Sequence, residues 1–289
     1  MTTCRSAIGA GILALICVGV AGAAPLAPTA GGHANDIVLT PHKAFYNLKL
    51  ARTNGNAVND VKGRILYDFS GSACEGYALS FRQISELASG EGQDALSDLT
   101  ATSWEDAMAK KYRFTSKNTL NDQTSSNVDG HADRKADSVA VTLDKPGDKT
   151  FRIPAGVVFP TEHMRRIIAA ARAGKKILEV MIYDGSENGE KLYNTLTVIG
   201  HPIAPGDKAP DDAAAKVPEM AKLMRWPVTV SYFDANPKKQ RSGEETAAYS
   251  IGFELYENGI SRALMLNYAD FSISGELVSL DVKKVKPCK

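Results

Sequence analysis

The sequence predicts a fold dominated by β-strands, arranged as a large antiparallel sheet with one main helix. Apolar and polar residues alternate with a period of two in about a dozen segments, the pattern of strands that have one covered face. Turn dipeptides such as Asn188-Gly189 and Asn258-Gly259 separate many of these segments. A twisted sheet with so many strands has to curl, close on itself or split into two layers.

The alternating segments run through the whole chain. In the first one, Ala44, Tyr46 and Leu48 alternate with Lys43, Asn47 and Lys49. The others lie at 61–69, 77–81, 112–114, 139–143, 178–182, 192–198, 228–232, 251–255, 264–268 and 280–282. Further turns are predicted at Asn54-Gly55, Asp129-Gly130 and Pro146-Gly147.

One segment, 161–174, has the periodicity of a helix. Thr161 suits the N-cap position and Gly174 suits the end of the helix. The apolar stripe consists of Met164, Ile167, Ile168 and Ala171, and the basic residues off that stripe are Arg165, Arg166 and Arg172. A lone helix among strands most simply covers an open mouth or face of the curled sheet. A second, weaker helix is predicted at 212–224, after a linker at 202–211 rich in Pro and Asp.

The first 24 residues have the features of an export signal. Arg5 precedes the apolar run 8–20, and the small residues 21–24 suit cleavage after Ala23 or Ala24. The run is too short and too rich in glycine to be retained as a spanning helix. We therefore expect a signal peptide at 1–24, a flexible leader at 25–40 and a single domain at 41–289.

The charge balance excludes several classes of function. Arg5 is the only charged residue of the predicted signal, so the remaining 265 residues carry 33 basic and 33 acidic side chains. This neutrality argues against nucleic acid as a partner, because binding to nucleic acid needs a basic surface. It also argues against electrostatic adhesion to anionic lipid as the main function.

Two cysteines, Cys74 and Cys288, remain after cleavage of the signal. In an oxidising compartment we expect them to pair. A redox-active pair would normally be closely spaced, as in C-x-x-C, but it remains an alternative, as do two free or intermolecular thiols. A bridge would close a loop of roughly 215 residues, for which chain entropy allows a stabilisation of about 5 kcal/mol at most.

No catalytic or metal-binding constellation emerges from the sequence, and no cofactor motif is present. The histidines are not at metal-ligand spacing. Glu162-His163 is interpreted as an exposed pair in the first turn of the helix, with an acid/base pair as the alternative. The segment 184–190 resembles half of a calcium loop, but Thr195 occupies the position that needs a bidentate Glu, and a hairpin turn explains the same residues.

Several motifs together resemble those of a known family. The opening strand is H42-K-A-F-Y-N-L-K-L50, and G63-R-I-L-Y-D-F69 is followed by Cys74-Glu75-Gly76-Tyr77. Phe159-Pro160 enters the helix, and Tyr183-Asp184 begins a hairpin. These motifs resemble the EipB family, periplasmic cell-envelope integrity proteins of alphaproteobacteria long catalogued as a domain of unknown function. The likeness runs from about His42 to Cys288.

The resemblance implies a β-spiral or incomplete barrel with the helix at its concave side and a disulfide between Cys74 and Cys288. It implies a soluble, non-enzymatic periplasmic protein that binds a lipid, a lipoprotein, a peptide or a periplasmic protein segment in the concavity. No residues of a binding site follow from it. The alternatives are an outer-membrane β-barrel, and a hydrolase of envelope polymers with Glu162, His163 or Asp184 as candidate catalytic residues.

Overall fold

The computed structural model describes residues 36–54, 58–89, 94–235 and 246–285. Within these ranges fourteen strands form one antiparallel sheet in the order β8-β7-β6-β5-β4-β3-β2-β1-β14-β13-β12-β11-β10-β9. The two terminal strands of this order, β8 and β9, do not pair with each other, so the sheet is not closed. The strands are β1 (His42–Thr53), β2 (Asp60–Ser72), β3 (Gly76–Ala88), β4 (Ala95–Glu105), β5 (Lys111–Leu120), β6 (Gln123–Arg134), β7 (Ser138–Lys145), β8 (Lys149–Pro154), β9 (Ile177–Ile182), β10 (Tyr193–Ile199), β11 (Arg225–Asp234), β12 (Tyr249–Tyr256), β13 (Ser261–Asn267) and β14 (Phe271–Val282).

The sheet curls until its two ends approach each other, through a side-chain contact and a short backbone bridge. Tyr183, which follows β9 at one end of the order, packs its ring edge-on against Phe114 of β5, with 5.6 Å between ring centroids. An isolated parallel bridge joins Ile182 to Val158, which lies in the connection between β8 and the helix. The predicted curled, incomplete barrel is therefore confirmed.

Each of the alternating segments lies in or overlaps a strand, but three strands were not predicted. These are β4, β6 and β8, whose sequences are rich in Ser, Thr, Asn and charged residues. The turn predicted at Asp129-Gly130 is wrong, because both residues lie inside β6. Gly130 is needed there for space, since a Cβ would lie 2.6 Å from the backbone carbonyl oxygen of Thr142.

The main helix, α1, spans Pro160–Arg172 and begins one residue earlier than predicted. Its N-cap is Phe159 and not Thr161, because Pro160 occupies the first helical position, where a missing N–H costs nothing. Gly174, which has a φ of 71°, follows the C-cap Ala173 and stops the helix, as predicted. The amides of Gly174 and Lys175 donate to the carbonyls of Ala171 and Ala170, which is the Schellman arrangement.

Helix α1 packs on the face of the sheet that carries the buried side chains. Ile167 and Ile168 are almost fully buried and belong to one apolar cluster with Tyr77 of β3 and Trp226 and Val228 of β11. Because these two strands lie far apart in the sheet order, the helix fills the space between opposite walls of the curl. The single helix therefore occupies the concave side.

Two local predictions were wrong, those of the second helix and of the leader, and the burial of Arg165 was not predicted. The segment 212–224 is not a helix but two short 3-10 turns, Ala213–Lys216 and Met220–Lys222, because Pro218 lacks the amide donor that a continuous helix needs. Arg165 lies off the apolar stripe yet is 1% exposed. The end of the predicted leader is not loose: Ile37 and Leu39 are buried beside α1, and the remainder of that leader lies outside the described residues.

Candidate functional site

The concave face has an apolar surface that α1 does not cover completely. We call this surface the lining and define it as Leu79, Phe81, Leu178, Tyr232 and Phe253. All five are half-buried and pack against the buried clusters around α1 and β1. Their positions in the strand pairing place them on the same face as the buried core, since each pairs directly or through one neighbour with a core residue.

The lining is drawn from strands on opposite sides of the curl. Leu79 and Phe81 of β3 pair with Phe69 and Tyr67 of β2, while Phe253 of β12 pairs with Val228 of β11. Half-exposed apolar side chains on a concave face are the usual walls of a site for a small or flexible apolar ligand. This arrangement can hold a hydrophobic chain, and it supplies no reactive group.

A group of tyrosines adjoins one side of the lining. The rings of Tyr232 and Tyr249 stack with centroids 4.5 Å apart, and Tyr193 meets both of them edge-on. Burial raises the pKa of Tyr232 and Tyr249 well above its ordinary value, so both phenols stay neutral. These rings therefore present apolar faces with a hydroxyl at the edge, a surface suited to amphiphilic ligands.

A buried polar cluster lies at the start of α1. The carboxylate of Glu105, at the end of β4, accepts the backbone amides of Thr161 and Glu162 at 2.8 Å each. Arg165 lies 3.7 Å from the same carboxylate and donates to the carbonyl of Ala107. Burial raises the pKa of Glu105 to about 7, against the lowering effect of the Thr161 amide and of Arg165. Glu105 thus supplies the cap that the sequence did not reveal.

The pair Glu162-His163, predicted to be exposed, is buried in this cluster, so that prediction was wrong. Glu162 forms ion pairs with Arg134 at 2.9 Å and with Arg166 at 2.5 Å. Burial, and then the charge of Arg166, lowers the pKa of His163 to about 4. Both residues face inward because the cap places the first turn of α1 against the ends of β4 and β6.

The third hydrolase candidate, Asp184, lies in the loop after β9. Its side chain accepts the amide of Ser186, and its backbone carbonyl accepts a hydrogen bond from Tyr112. Among the described residues no hydrogen bond or ion pair joins Asp184 to Glu162 or His163. Within the same ranges no group of three or more His, Cys, Asp or Glu side chains is placed to hold a metal ion.

A second charged network holds the segment 202–224, which we call the strap. Arg262 of β13 donates to Asp212 at 2.7 Å, to Glu254 at 2.6 Å and to Asp211 at 2.5 Å. Glu254 also accepts Arg225 at 2.7 Å. Arg262 and Arg225 are both nearly inaccessible to solvent. Sequence reasoning missed this network because its members are spread over 51 positions and share no motif.

Cys74 lies in the turn after β2, and Cys288 lies outside the described residues. The last described part of the chain reaches the same end of the sheet: Val282 pairs with His42, and Lys283 forms an ion pair with Asp68 at 2.6 Å.

In the part of the chain that the structure describes, there is no helix both long and apolar enough to cross a membrane.

Comparison with known proteins finds relatives in sequence and in structure. The family model described as EipB-like matches residues 33–284. The cell envelope integrity protein EipB of Brucella abortus (strain 2308) is 35% identical over 278 residues, covering 96% of this chain and 94% of that protein. A crystal structure from Brucella abortus, titled a β-barrel-like protein of a domain of unknown function, is 34% identical with a TM-score of 0.76. That match covers 85% of this chain and 99% of the crystallised one.

Proposed function

This chain belongs to the EipB-like family, and from that premise we propose that it is a non-enzymatic periplasmic protein that maintains the cell envelope by binding. The bound molecule is a lipid, a peptide or a protein segment, held against the lining. Export by a signal peptide at 1–24 brings it to the periplasm. The role in envelope integrity rests on the similarity to EipB of Brucella abortus, which covers 96% of this chain.

The observation that carries the proposal is the half-exposed apolar surface on the concave face. Core side chains of a closed fold are normally covered on all sides, whereas Phe81, Tyr232 and Phe253 keep part of their surface open. Burying such surface against an apolar chain contributes about 25 cal/mol per Å². A ligand that covers it would therefore gain affinity without any conformational change in the sheet.

The charged residues support binding over chemistry. Glu162 is occupied by two arginines, and His163 stays neutral at physiological pH because its pKa is about 4. An acid/base catalyst works best with a pKa near the operating pH and within reach of a substrate. His163 does not meet the first requirement, and the carboxylate of Glu162 is held by Arg134 and Arg166.

Native mass spectrometry of protein taken directly from the periplasm tests the proposal, because it reports bound molecules and oligomeric state together. We expect a co-purifying amphiphile or peptide on the wild-type protein. Phe81→Ser should lower its occupancy several-fold, since it removes apolar surface from the lining. Phe45→Ser is the matched control, because Phe45 is also half-buried but lies on the opposite face of β1.

Two results would contradict the proposal. One is equal occupancy in the Phe81 and Phe45 variants, which would locate the ligand elsewhere. The other is normal growth of a deletion strain in detergent and in cell-wall antibiotics, which would remove the role in envelope integrity.

A further inference from the structure

A cleft of about 380 Å³ lies at the C-terminal end of α1, and none of the five lining residues bounds it. It is bounded by the end of the helix, the residues before β9, the end of β10 and the start of β11. The tyrosine side of the lining lies at the other end of β11 from the cleft, because Trp226 is the second residue of that strand and Tyr232 is near its last. Its volume is at the lower end of the range for small-molecule sites, about 300–1,000 Å³.

The floor of the cleft is apolar and well packed. Trp226 and Ile199 are each 2% exposed, and both belong to the buried cluster around α1. Met224 and Pro202 continue the apolar surface toward the opening. This floor offers contact to an alkyl chain and few hydrogen-bond partners to a small polar ion.

The rim of the cleft carries an excess of positive charge. Glu257, the carboxylate among the lining residues, already pairs with Arg172 at 3.2 Å and accepts the amide of Met224. Lys175 and Lys176 are exposed, and within the described ranges neither has a carboxylate at ion-pair distance. The rim therefore keeps two uncompensated cations directly above the apolar floor.

The lysines are not required to complete the helix. Lysines after a helix often serve to satisfy its last carbonyl groups. Here the Schellman hydrogen bonds from the amides of Gly174 and Lys175 already satisfy two of those carbonyls. The ammonium groups of Lys175 and Lys176 thus remain available to an external anion.

We propose that this cleft binds an anionic lipid molecule, with its phosphate at Lys175 and Lys176 and the beginning of its acyl chain over Met224 and Trp226. Lysine binds phosphate as a point charge, and the apolar floor distinguishes a lipid from a free ion. The proposal goes beyond the function assigned to the lining, because it concerns a second site with a requirement for negative charge. It is compatible with the neutral overall balance, since the positive charge is local.

The test uses Trp226 as a built-in reporter. The chain has two tryptophans, so the Trp104→Phe variant leaves Trp226 as the only source of indole fluorescence. This protein is titrated with monomeric lysophosphatidylglycerol, with lysophosphatidylcholine of equal chain length, and with inorganic phosphate. We expect a saturable change in Trp226 emission with the anionic lipid, weaker binding of the zwitterionic one, and no change with phosphate.

Charge removal supplies the second arm. Lys175→Gln with Lys176→Gln should weaken binding of lysophosphatidylglycerol roughly thirtyfold, since each lysine near an anionic headgroup contributes about one kcal/mol. The matched control is Lys110→Gln with Lys111→Gln, another exposed adjacent pair, which should change affinity less than about twofold. Both pairs are on the surface, and far-UV circular dichroism verifies that all variants are folded.

Three outcomes would overturn the inference: equal affinity for the two lipids, an unchanged affinity in the Lys175/Lys176 variant, or a response to inorganic phosphate as strong as that to the lipid. Failure here is distinguishable from failure of the lining. Phe81→Ser should leave the Trp226 titration unchanged. If Trp226 emission does not respond to the anionic lipid while Phe81→Ser still loses its co-purified ligand, the proposal for the cleft is refuted and the one for the lining is not.

Discussion

Arg262 offers the sharpest test of how the strap is held. The side chain is 6% exposed and donates to Asp212, Glu254 and Asp211. Asp212 in turn caps the first 3-10 turn by accepting the amide of Ala214. Replacing Arg262 with Met keeps much of the volume and removes the charge, so the variant isolates the electrostatic contribution.

The three carboxylates that Arg262 contacts lose unequal amounts of stabilisation in Arg262→Met. Asp211 is 94% exposed, so water replaces the arginine there at almost no cost. Glu254 keeps Arg225 as its partner. Asp212 is 5% exposed, and among the residues that the structure describes it is left with no cation in a buried position. Breaking a buried pair in this way costs about 3–5 kcal/mol. For a protein of this size that corresponds to a fall in Tm of roughly 6–20 °C.

The loss should also depend on pH. Burial opposes ionisation of Glu254, but the hydrogen bonds from Arg225 and Arg262 outweigh it and hold the pKa of Glu254 below its ordinary value. A lowered pKa in the folded state stabilises the protein above the pKa of the unfolded chain, about 4.5, and this stabilisation disappears as the pH falls through the folded value. The difference between wild type and Arg262→Met should therefore be largest above about pH 5 and shrink on acidification.

Urea unfolding at pH 7 and at pH 4, followed by circular dichroism, measures both effects. Limited proteolysis should also cleave the strap faster in the variant. Arg64→Met is the matched control, because Arg64 is exposed and its hydrogen bond to Asn47 lies on the surface, so it should change the free energy of unfolding by less than about 0.5 kcal/mol. A loss below about 1 kcal/mol in Arg262→Met, or a loss independent of pH, would refute this account.

Two further predictions concern His163 and the cysteines. Burial lowers the pKa of His163 to about 4, so between pH 6.5 and 4 the unfolded chain binds a proton that the folded protein does not. This proton binding lowers the free energy of unfolding by up to about 3 kcal/mol on acidification. His163→Leu should remove that loss in urea titrations at pH 4.5 and should still complement a deletion strain. If His163→Leu lost as much stability at pH 4.5 as the wild type does, the lowered pKa of His163 would be contradicted. We propose that Cys74 and Cys288 are paired, so the thiols of oxidised protein should be alkylated only after reduction. Cys74→Ser should lower the free energy of unfolding by up to about 5 kcal/mol, and adding Cys288→Ser should cause no further loss. Alkylation of both thiols without reduction would exclude the pairing.

Strand positions were predictable where the covered face is apolar. In β1, Ala44, Tyr46 and Leu48 are buried and the residues between them are not, so the alternation is visible in the sequence. In β4 and β6 small and polar residues occupy both faces over much of the length. Their periodicity is weak, and only pairing with β3, β5 and β7 defines them.

The site was much less predictable than the fold. The alternation identifies which face of a strand is apolar, but whether Phe81 or Phe253 is fully covered depends on the elements that pack over that face. The burial of Arg165 and His163 follows from Glu105, which binds the helix from 56 positions away. No local pattern in the helix itself signals such a partner.

The sequence alone determined the strand-rich class, the single long helix with its glycine stop, and the family. These follow from periodicities and motifs within a few residues of one another. The tertiary structure decided which apolar residues stay half-exposed, how the helix start is capped, and where two lysines remain uncompensated. Those properties depend on contacts between residues far apart in the chain, because burial and charge pairing are set by the neighbours that the curled sheet brings together.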